Sequence, residues 1–334
     1  MFPLTKFPYV VFKEILANCN ASDLNALFQT SRRFKNNLIR DLPRNMFGVE
    51  IVLQMMATLR TTKGDNLELF SIPYLDSDRS DLKDIPDSAM FSFSNDSLAS
   101  LTLSIDGITR FLKCDIDSLI IDCTHCIGMM PQIFGWLNER QQSINHLTIN
   151  YQAERDVEDL DFILKNMNVV ESFTIYVDTL PDGMRPLNPK IKCDFLSVTD
   201  VPSNNWMCLN DISNSDCKHI QLSAPKFTPT EWNIFLKSWR YGSNQRMEYI
   251  AAKIIDSEDM ISELTDGLNV EERDESLIRT FVLISTPWAF RGGLDIKRQD
   301  GKVATVVIGP IIHEADDGKQ IRAFTVVVWP EGTN

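Results

Sequence analysis

The sequence predicts an α/β chain in three parts: a small helical head, a long middle of strands alternating with helices or loops, and a β-rich end. Three observations predict it. Residues 2–40 carry apolar side chains at helical spacing. Seven short apolar triplets recur between residues 101 and 252. Residues 278–329 hold runs that alternate between apolar and polar.

The head comes first. Phe7, Val10, Val11, Ile15 and Leu16 fall near i, i+3/i+4 spacing, and Leu24, Leu27, Phe28, Ser31, Phe34 and Leu38 keep one stripe for about four turns. Pro3 and Pro8 sit where a missing N–H costs least, and Ser22 is placed to cap the second helix. Residues 1–45 hold seven Lys/Arg against three acids, a net of +4. The whole chain carries −13, so the remainder carries −17. Such a basic head, short of apolar mass, is either a docking module or an ordinary helical hairpin packed on the rest of the chain. Periodicity alone leaves both open.

Residues 46–98 connect the head to the middle. Val49, Val52, Leu53 and Met56 predict a bridging helix over 45–60. Residues 61–98 read as an acidic linker, with Asp65, Asp76, Asp78, Asp81, Asp84, Asp87 and Asp96 beside Pro73 and Pro86. Phe70, Ile72, Phe91 and Phe93 mark short strands within it.

The middle, residues 99–255, repeats weakly. The triplets begin at Leu101, Leu119, Leu147, Phe173, Leu196, Ile220 and Ile250, with spacings of 18 to 30 residues. Several match the period of leucine-rich repeats, and the L-x-L core matches that unit. Helices follow some triplets: Ile133, Phe134 and Leu137 after Pro131, then Val157, Leu160, Ile163 and Leu164. The reading is an irregular leucine-rich-repeat-like α/β solenoid. A generic α/β sheet with right-handed crossovers would alternate in the same way. Period-two geometry turns the central residue of each triplet outward, which makes Thr102, Thr148, Thr174, Ser197 and Gln221, with Tyr176 beside them, candidate target-binding residues. Plain solvated strand positions would look the same.

Residues 228–242 predict a firm helix. Thr228 and Glu231 form a capping box, Pro229 takes the first helical position, and Gly242 stops the helix. Trp232, Phe235, Leu236 and Trp239 give it a core-facing aromatic stripe. Residues 256–334 form the β-rich part, expected to cover the solenoid's open edge as strands 278–285, 288–298, 302–309 and 321–329. Asp300–Gly301 marks a hairpin turn.

Composition narrows the function. The chain has 334 residues, 43% of them hydrophobic, enough for a sizeable core. It holds no apolar run long enough for a transmembrane helix, and its start does not read as a signal peptide. Seven scattered cysteines fit a reduced cytoplasmic or nuclear setting. The acidic balance argues against nucleic acid, and the head's positive charge suits an acidic protein partner. Cys123 and Cys126 bracket His125, and Cys114 and His146 could join them, but a second ligand pair at zinc spacing is missing. Nucleophile elbows and phosphate-cradling loops are also missing, so neither catalysis nor a cofactor is expected. A metal-dependent enzyme built on the Cys/His group is the one enzymatic alternative.

Phe7–Pro8, Ile15–Leu16, Asp23–Leu24, Leu27, Thr30–Ser31, Arg33, Phe34 and Leu38 give the head a further meaning. With them, the segment resembles the F-box, the module that docks substrate receptors on the Skp-type adaptor of cullin–RING ubiquitin ligases. Phe-Pro replaces the family's usual Leu-Pro, and Phe34 its Trp. Residues 228–254 and 295–308 resemble the type-2 F-box-associated domain found behind F-boxes in nematode receptor families. Glu231, Trp232, Phe235, Leu236, Lys237, Trp239, Gly242, Met247, Glu248, Tyr249, Asp300, Gly301, Ala304 and Thr305 carry that resemblance. Together the two imply a non-catalytic substrate receptor of an SCF-type ligase. The adaptor, and through it a cullin, would dock on Pro8, Val11, Ile15, Leu16, Leu24, Leu27 and Phe34, and a target protein on the solenoid. The alternative is a non-catalytic interaction solenoid acting outside any ligase.

Overall fold

A computed structural model describes residues 14–16, 18–19, 42, 47–53, 57–63, 66–72, 102, 105–107, 109–110, 112–123, 126, 128–151, 157–177, 190–200, 207–314 and 320–330. The chain divides into two compact units, Met1–Leu147 and Thr148–Asn334. It is mixed α/β and strand-rich, with few helices, so the predicted class holds.

In the first unit, β1 (Gly48–Leu53), β2 (Ala57–Lys63) and β3 (Asn66–Ile72) form an antiparallel meander. β4 (Ser118–Asp122) pairs with β1 in parallel, with Ile51 opposite Leu119. The bridging helix expected over 45–60 is therefore corrected to a hairpin. Val49, Ile51 and Leu53 satisfy period two as well as Val49, Val52 and Leu53 satisfy helical spacing. The β-branched run and a partner strand on each side of β1 decide for the sheet. The strand expected at Leu101–Leu103 is corrected in the other direction. Thr102 is helical, as are 105–107, 109–110 and 112. Ile105, Thr109 and Leu112 are buried at i, i+4 and i+7, and the Thr109 hydroxyl donates to Ile105 O at 2.6 Å.

Helix α1 (Met130–Arg140) carries Pro131 in its first turn, where the sequence places it, and buries Met130, Ile133, Phe134 and Leu137. Its end is tied back through Arg140 to Asp106 at 2.6 Å. Gln141 pairs with Ile116 in both directions: Ile116 N donates to Oε1 at 2.9 Å, and Nε2 donates to Ile116 O at 2.8 Å. Of the seven expected adaptor-docking residues, Ile15 and Leu16 are described. Both are helical, and the Cys19 amide donates to Ile15 O at 3.1 Å. Ile15 is half-buried and Leu16 fully buried. Pro8, Val11, Leu24, Leu27 and Phe34 lie outside the described residues, as does the linker over 73–98.

β5 (Ile144–Tyr151) runs across the division of the chain. In the second unit, β6 (Val169–Val177), β7 (Lys192–Asp200), β8 (Asp216–Phe227) and β9 (Tyr249–Ile255) are parallel neighbours in chain order. β15 (Gln320–Trp329) pairs antiparallel with β9 and covers its edge. β14 (Val303–Glu314), β13 (Leu294–Lys297) and β10 (Val270–Glu272) complete the sheet. β11 (Ile278–Leu283) and β12 (Thr286–Arg291) form a separate two-stranded hairpin. The single strand expected over 288–298 is thus broken into β12 and β13. Gly292 and Gly293, at φ +59° and +102°, turn the chain there. A Cβ on Gly293 would lie 2.7 Å from Val306 O, so the strands close only over glycine.

Among the described residues, four helices accompany this sheet: α2 (Val157–Asn166), α3 (Leu209–Ser213), α4 (Pro229–Arg240) and α5 (Met260–Thr265). The central one, α4, forms as the sequence predicts. Glu231 N donates to Thr228 Oγ1 at 3.2 Å, and Thr228 N donates to Glu231 Oε2 at 2.8 Å. Trp232 and Trp239 are fully buried. Trp232 stacks on Phe324 of β15 at 4.1 Å, meets Phe227 of β8 edge-on at 5.5 Å, and donates its indole N–H to Lys253 O of β9 at 3.4 Å. Asn233 fastens α5 to α4 by donating to Leu264 O and Asp266 O, both at 2.8 Å. These bonds satisfy carbonyls that a helix end leaves open. The Asp300–Gly301 turn joins β13 to β14 as predicted, with Gly301 at φ +95°. Arg298 grips Asp300 with two bonds of 2.9 and 2.6 Å, holds its pKa down to about 2, and lies 5.1 Å over the Trp239 ring.

Trp232→Ala is expected to lower unfolding stability by about 3–5 kcal/mol, and Thr228→Ala by about 1 kcal/mol. Urea denaturation followed by tryptophan fluorescence checks the ranking.

Candidate functional site

The second unit's sheet has two unlike faces, because alternate residues point to opposite sides. On one face Leu196, Val198, Ile220, Leu222, Ile250 and Ile254 are buried. Their neighbours on the other face form a row in register: Thr174 opposite Ser197, Ser197 opposite Gln221, Gln221 opposite Ala251, and Ala251 opposite Thr325. Thr174 and Ser197 are half-buried and Gln221 is exposed. Tyr176 lies one step along β6, opposite Thr199, and is 45% exposed.

The β11–β12 hairpin covers part of this face. It leaves the sheet after β10 and returns at β13, where Arg273 N donates to Gly293 O at 2.9 Å. Its inward residues step across the strands. Arg279 approaches Asp295 of β13 at 3.8 Å and lies 5.0 Å over the Trp329 ring of β15. Phe281 stacks on Tyr249 of β9 at 5.7 Å and meets His219 of β8 edge-on at 6.1 Å. Tyr249, Phe281, Val327 and Trp329 form a second, smaller core, with Ala251 packed against it. The hairpin therefore spans β13 to β8 and leaves Thr174, Ser197 and Gln221 outside that core.

The hairpin's outer side is apolar and exposed. Ile278, Val282 and Ile284 are each more than half exposed. Ile284 and Ser285 form a two-residue turn at φ +45° and +65°. A β-branched residue in the left-handed region costs about 1–2 kcal/mol. The tip thus holds an exposed apolar side chain in a strained backbone conformation.

His219 joins the hairpin to the sheet. Its Nε2 stands 3.4 Å from Glu248 and has no hydrogen-bond partner. Burial lowers its pKa, against the upward pull of Glu248. A cavity of about 580 Å³ opens beside it, with Lys218, Arg246, Lys302, Phe281 and Trp329 in its wall. Lys218 and Arg246 both pair with Asp194.

The structure brings together Thr174, Ser197, Gln221 and Tyr176 of the expected target-binding set. Thr148, half-buried in β5, belongs to a strand next to β6. Thr102 does not join them, because it is helical. Sequence reasoning missed His219, Phe281 and the Ile284 tip. The turn has neither Gly nor Asn, the residues that announce a two-residue hairpin. The buried Cys123 and Cys126 lie four and zero percent exposed, and among the described residues no group of three or more His, Cys, Asp or Glu could hold a metal ion. Burial pushes the Cys114 thiol up to about 12. Among the described residues no helix is long and apolar enough to cross a membrane.

In comparison with known families, residues 189–252 match the family described as F-box associated. The matched stretch takes in β7, α3, β8 and α4 and runs into β9. It contains Glu231 through Tyr249 of the residues carrying that resemblance, and it supports the F-box-associated reading there. The head, and the later signature of Asp300, Gly301, Ala304 and Thr305, lie outside it. No curated protein and no solved structure matches the chain.

The His219 pKa is depressed in the fold, so neutral His219 is the form the fold favours. The resulting stability is present above about pH 6.5 and is lost as pH falls below it toward the depressed folded value. Urea midpoints measured between pH 7.5 and 5 are expected to fall, and His219→Gln to flatten that slope.

Proposed function

We propose that this protein is a non-catalytic substrate receptor of an SCF-type cullin–RING ubiquitin ligase, working in the cytoplasm or nucleus. The match of residues 189–252 to the F-box-associated family is the observation that carries this reading. The head would dock a Skp-type adaptor, which links it to a cullin, and residues Pro8, Val11, Ile15, Leu16, Leu24, Leu27 and Phe34 divide between that contact and the head's own packing. We read β6–β9 as the strand layer of an irregular solenoid, since chain-order parallel neighbours, with α3 between β7 and β8 and α4 between β8 and β9, are what stacked repeats produce.

The target would lie on the open face, over Thr174, Ser197, Gln221 and Tyr176, against the hairpin tip. Small polar side chains there offer hydrogen bonds without a charge to desolvate, and Tyr176 offers a rigid aromatic contact. The mechanism is geometric: holding the target near a charged ubiquitin-conjugating enzyme turns a bimolecular transfer into a local one.

Co-expression with a Skp-type adaptor tests the first half. Wild-type protein is expected to pull the adaptor down, and Leu24→Asp/Leu27→Asp to lose it while circular dichroism is unchanged. A well-folded wild type that captures no adaptor would move the protein to the class of interaction proteins working outside ligases. Ser197→Arg/Gln221→Arg tests the second half by proximity labelling in cells. It is expected to keep the adaptor while losing the labelled targets.

A further inference from the structure

The base of the hairpin encloses more positive than negative charge. Arg273, directly after β10, and Arg279 of β11 both face Asp295 of β13, at 3.6 and 3.8 Å. The two arginine side chains are only 18% and 15% exposed. Both distances are too long for hydrogen bonds. Asp295 Oδ1 is already taken by Thr305, whose hydroxyl oxygen in turn accepts the Trp329 indole N–H at 2.6 Å. Arg273 Nε and Nη1 and Arg279 Nη1 are buried without a hydrogen-bond partner.

The neighbouring acids do not make up the difference. Glu271 sits opposite Asp295 in register, yet it is exposed and makes no ion pair with either arginine. Asp274 turns its carboxylate to the Ser276 amide at 2.8 Å. Burial, and then repulsion from Arg273, pull the Arg279 pKa down, with Asp295 pulling the other way. Two largely buried cations therefore share one carboxylate, and an unmatched buried charge is among the costliest features a fold can carry. A planar guanidinium presents donors in a fork that fits carboxylate and phosphate oxygens, and two guanidinium groups stand here within 4 Å of Asp295 Oδ2.

We propose that Arg273 and Arg279 form a binding site for one oxyanion, a carboxylate or a phosphate group. The anion would complete the charge balance, satisfy the orphaned donors, and fasten the hairpin base to β13. The site stands apart from the open face and does not depend on the ligase reading.

Isothermal titration of the full-length protein with inorganic phosphate, and separately with acetate, tests it at constant ionic strength with chloride as reference. Wild type is expected to bind one equivalent of at least one of the two, and the stronger of them identifies the group. Arg273→Gln is expected to weaken binding about tenfold, the size of one charge-assisted contact. Asp295→Asn removes the competing carboxylate and is expected to tighten binding about tenfold. Should Arg273→Gln fail to fold, Arg273→Lys keeps the charge, loses the fork, and is read in the same way. Saturable binding of neither anion overturns the proposal. So does binding that Arg273→Gln leaves unchanged, or that a folded Asp295→Asn weakens.

Discussion

The second unit depends on the contact of Trp232 with Phe324. One indole ties α4 to three strands: it stacks on β15, packs edge-on against Phe227 of β8, and donates to a carbonyl of β9. The junction matters because the sheet changes character between β9 and β15, from parallel to antiparallel. Parallel strands need helical cover on their faces, whereas antiparallel ones tolerate water on one side. α4 covers both where they meet. Its position in turn sets the Asp300 turn, because Arg298 lies on Trp239 and Gln299 N donates to Arg240 O at 3.3 Å.

With one face closed by helices, the opposite face is the one the hairpin lies over. The hairpin closes only part of it. Tyr249, Phe281 and Trp329 make that cover a true core, since aromatic rings in edge-to-face and offset contact add to what burial alone provides. The uncovered remainder is polar at Thr174, Ser197 and Gln221, and beside it stands a strand pair with exposed apolar side chains.

Much of this was legible from residue order, where the signal was local. Six of the seven triplets are strands, and α4 starts, runs and stops where its capping box, aromatic stripe and glycine say. Signals that depend on distant partners were not legible. Val49, Val52 and Leu53 fit a helix until β4 and β2 supply partners for a strand. Thr102 lies in an L-x-L unit, yet Ile105, Thr109 and Leu112 outvote it at helical spacing. The pairing of Arg273 and Arg279 around Asp295 joins residues 22 positions apart, and only the folded hairpin brings them together. The candidate face was read as a column of small polar residues, but its boundary came from Phe281 and Ile284, which carry no turn signature.

The closure at Arg273 and Gly293 has an evolutionary consequence. The hairpin leaves and re-enters the sheet where Arg273 N donates to Gly293 O, and Arg279 and Phe281 fix its inner part, so the tip beyond them can lengthen, shorten or change sequence without shifting the register of β10 on β13. Such an insertion behaves as a cassette. Duplicated genes could diversify the tip beyond Phe281 while keeping one scaffold, much as antibody loops vary on a constant sandwich.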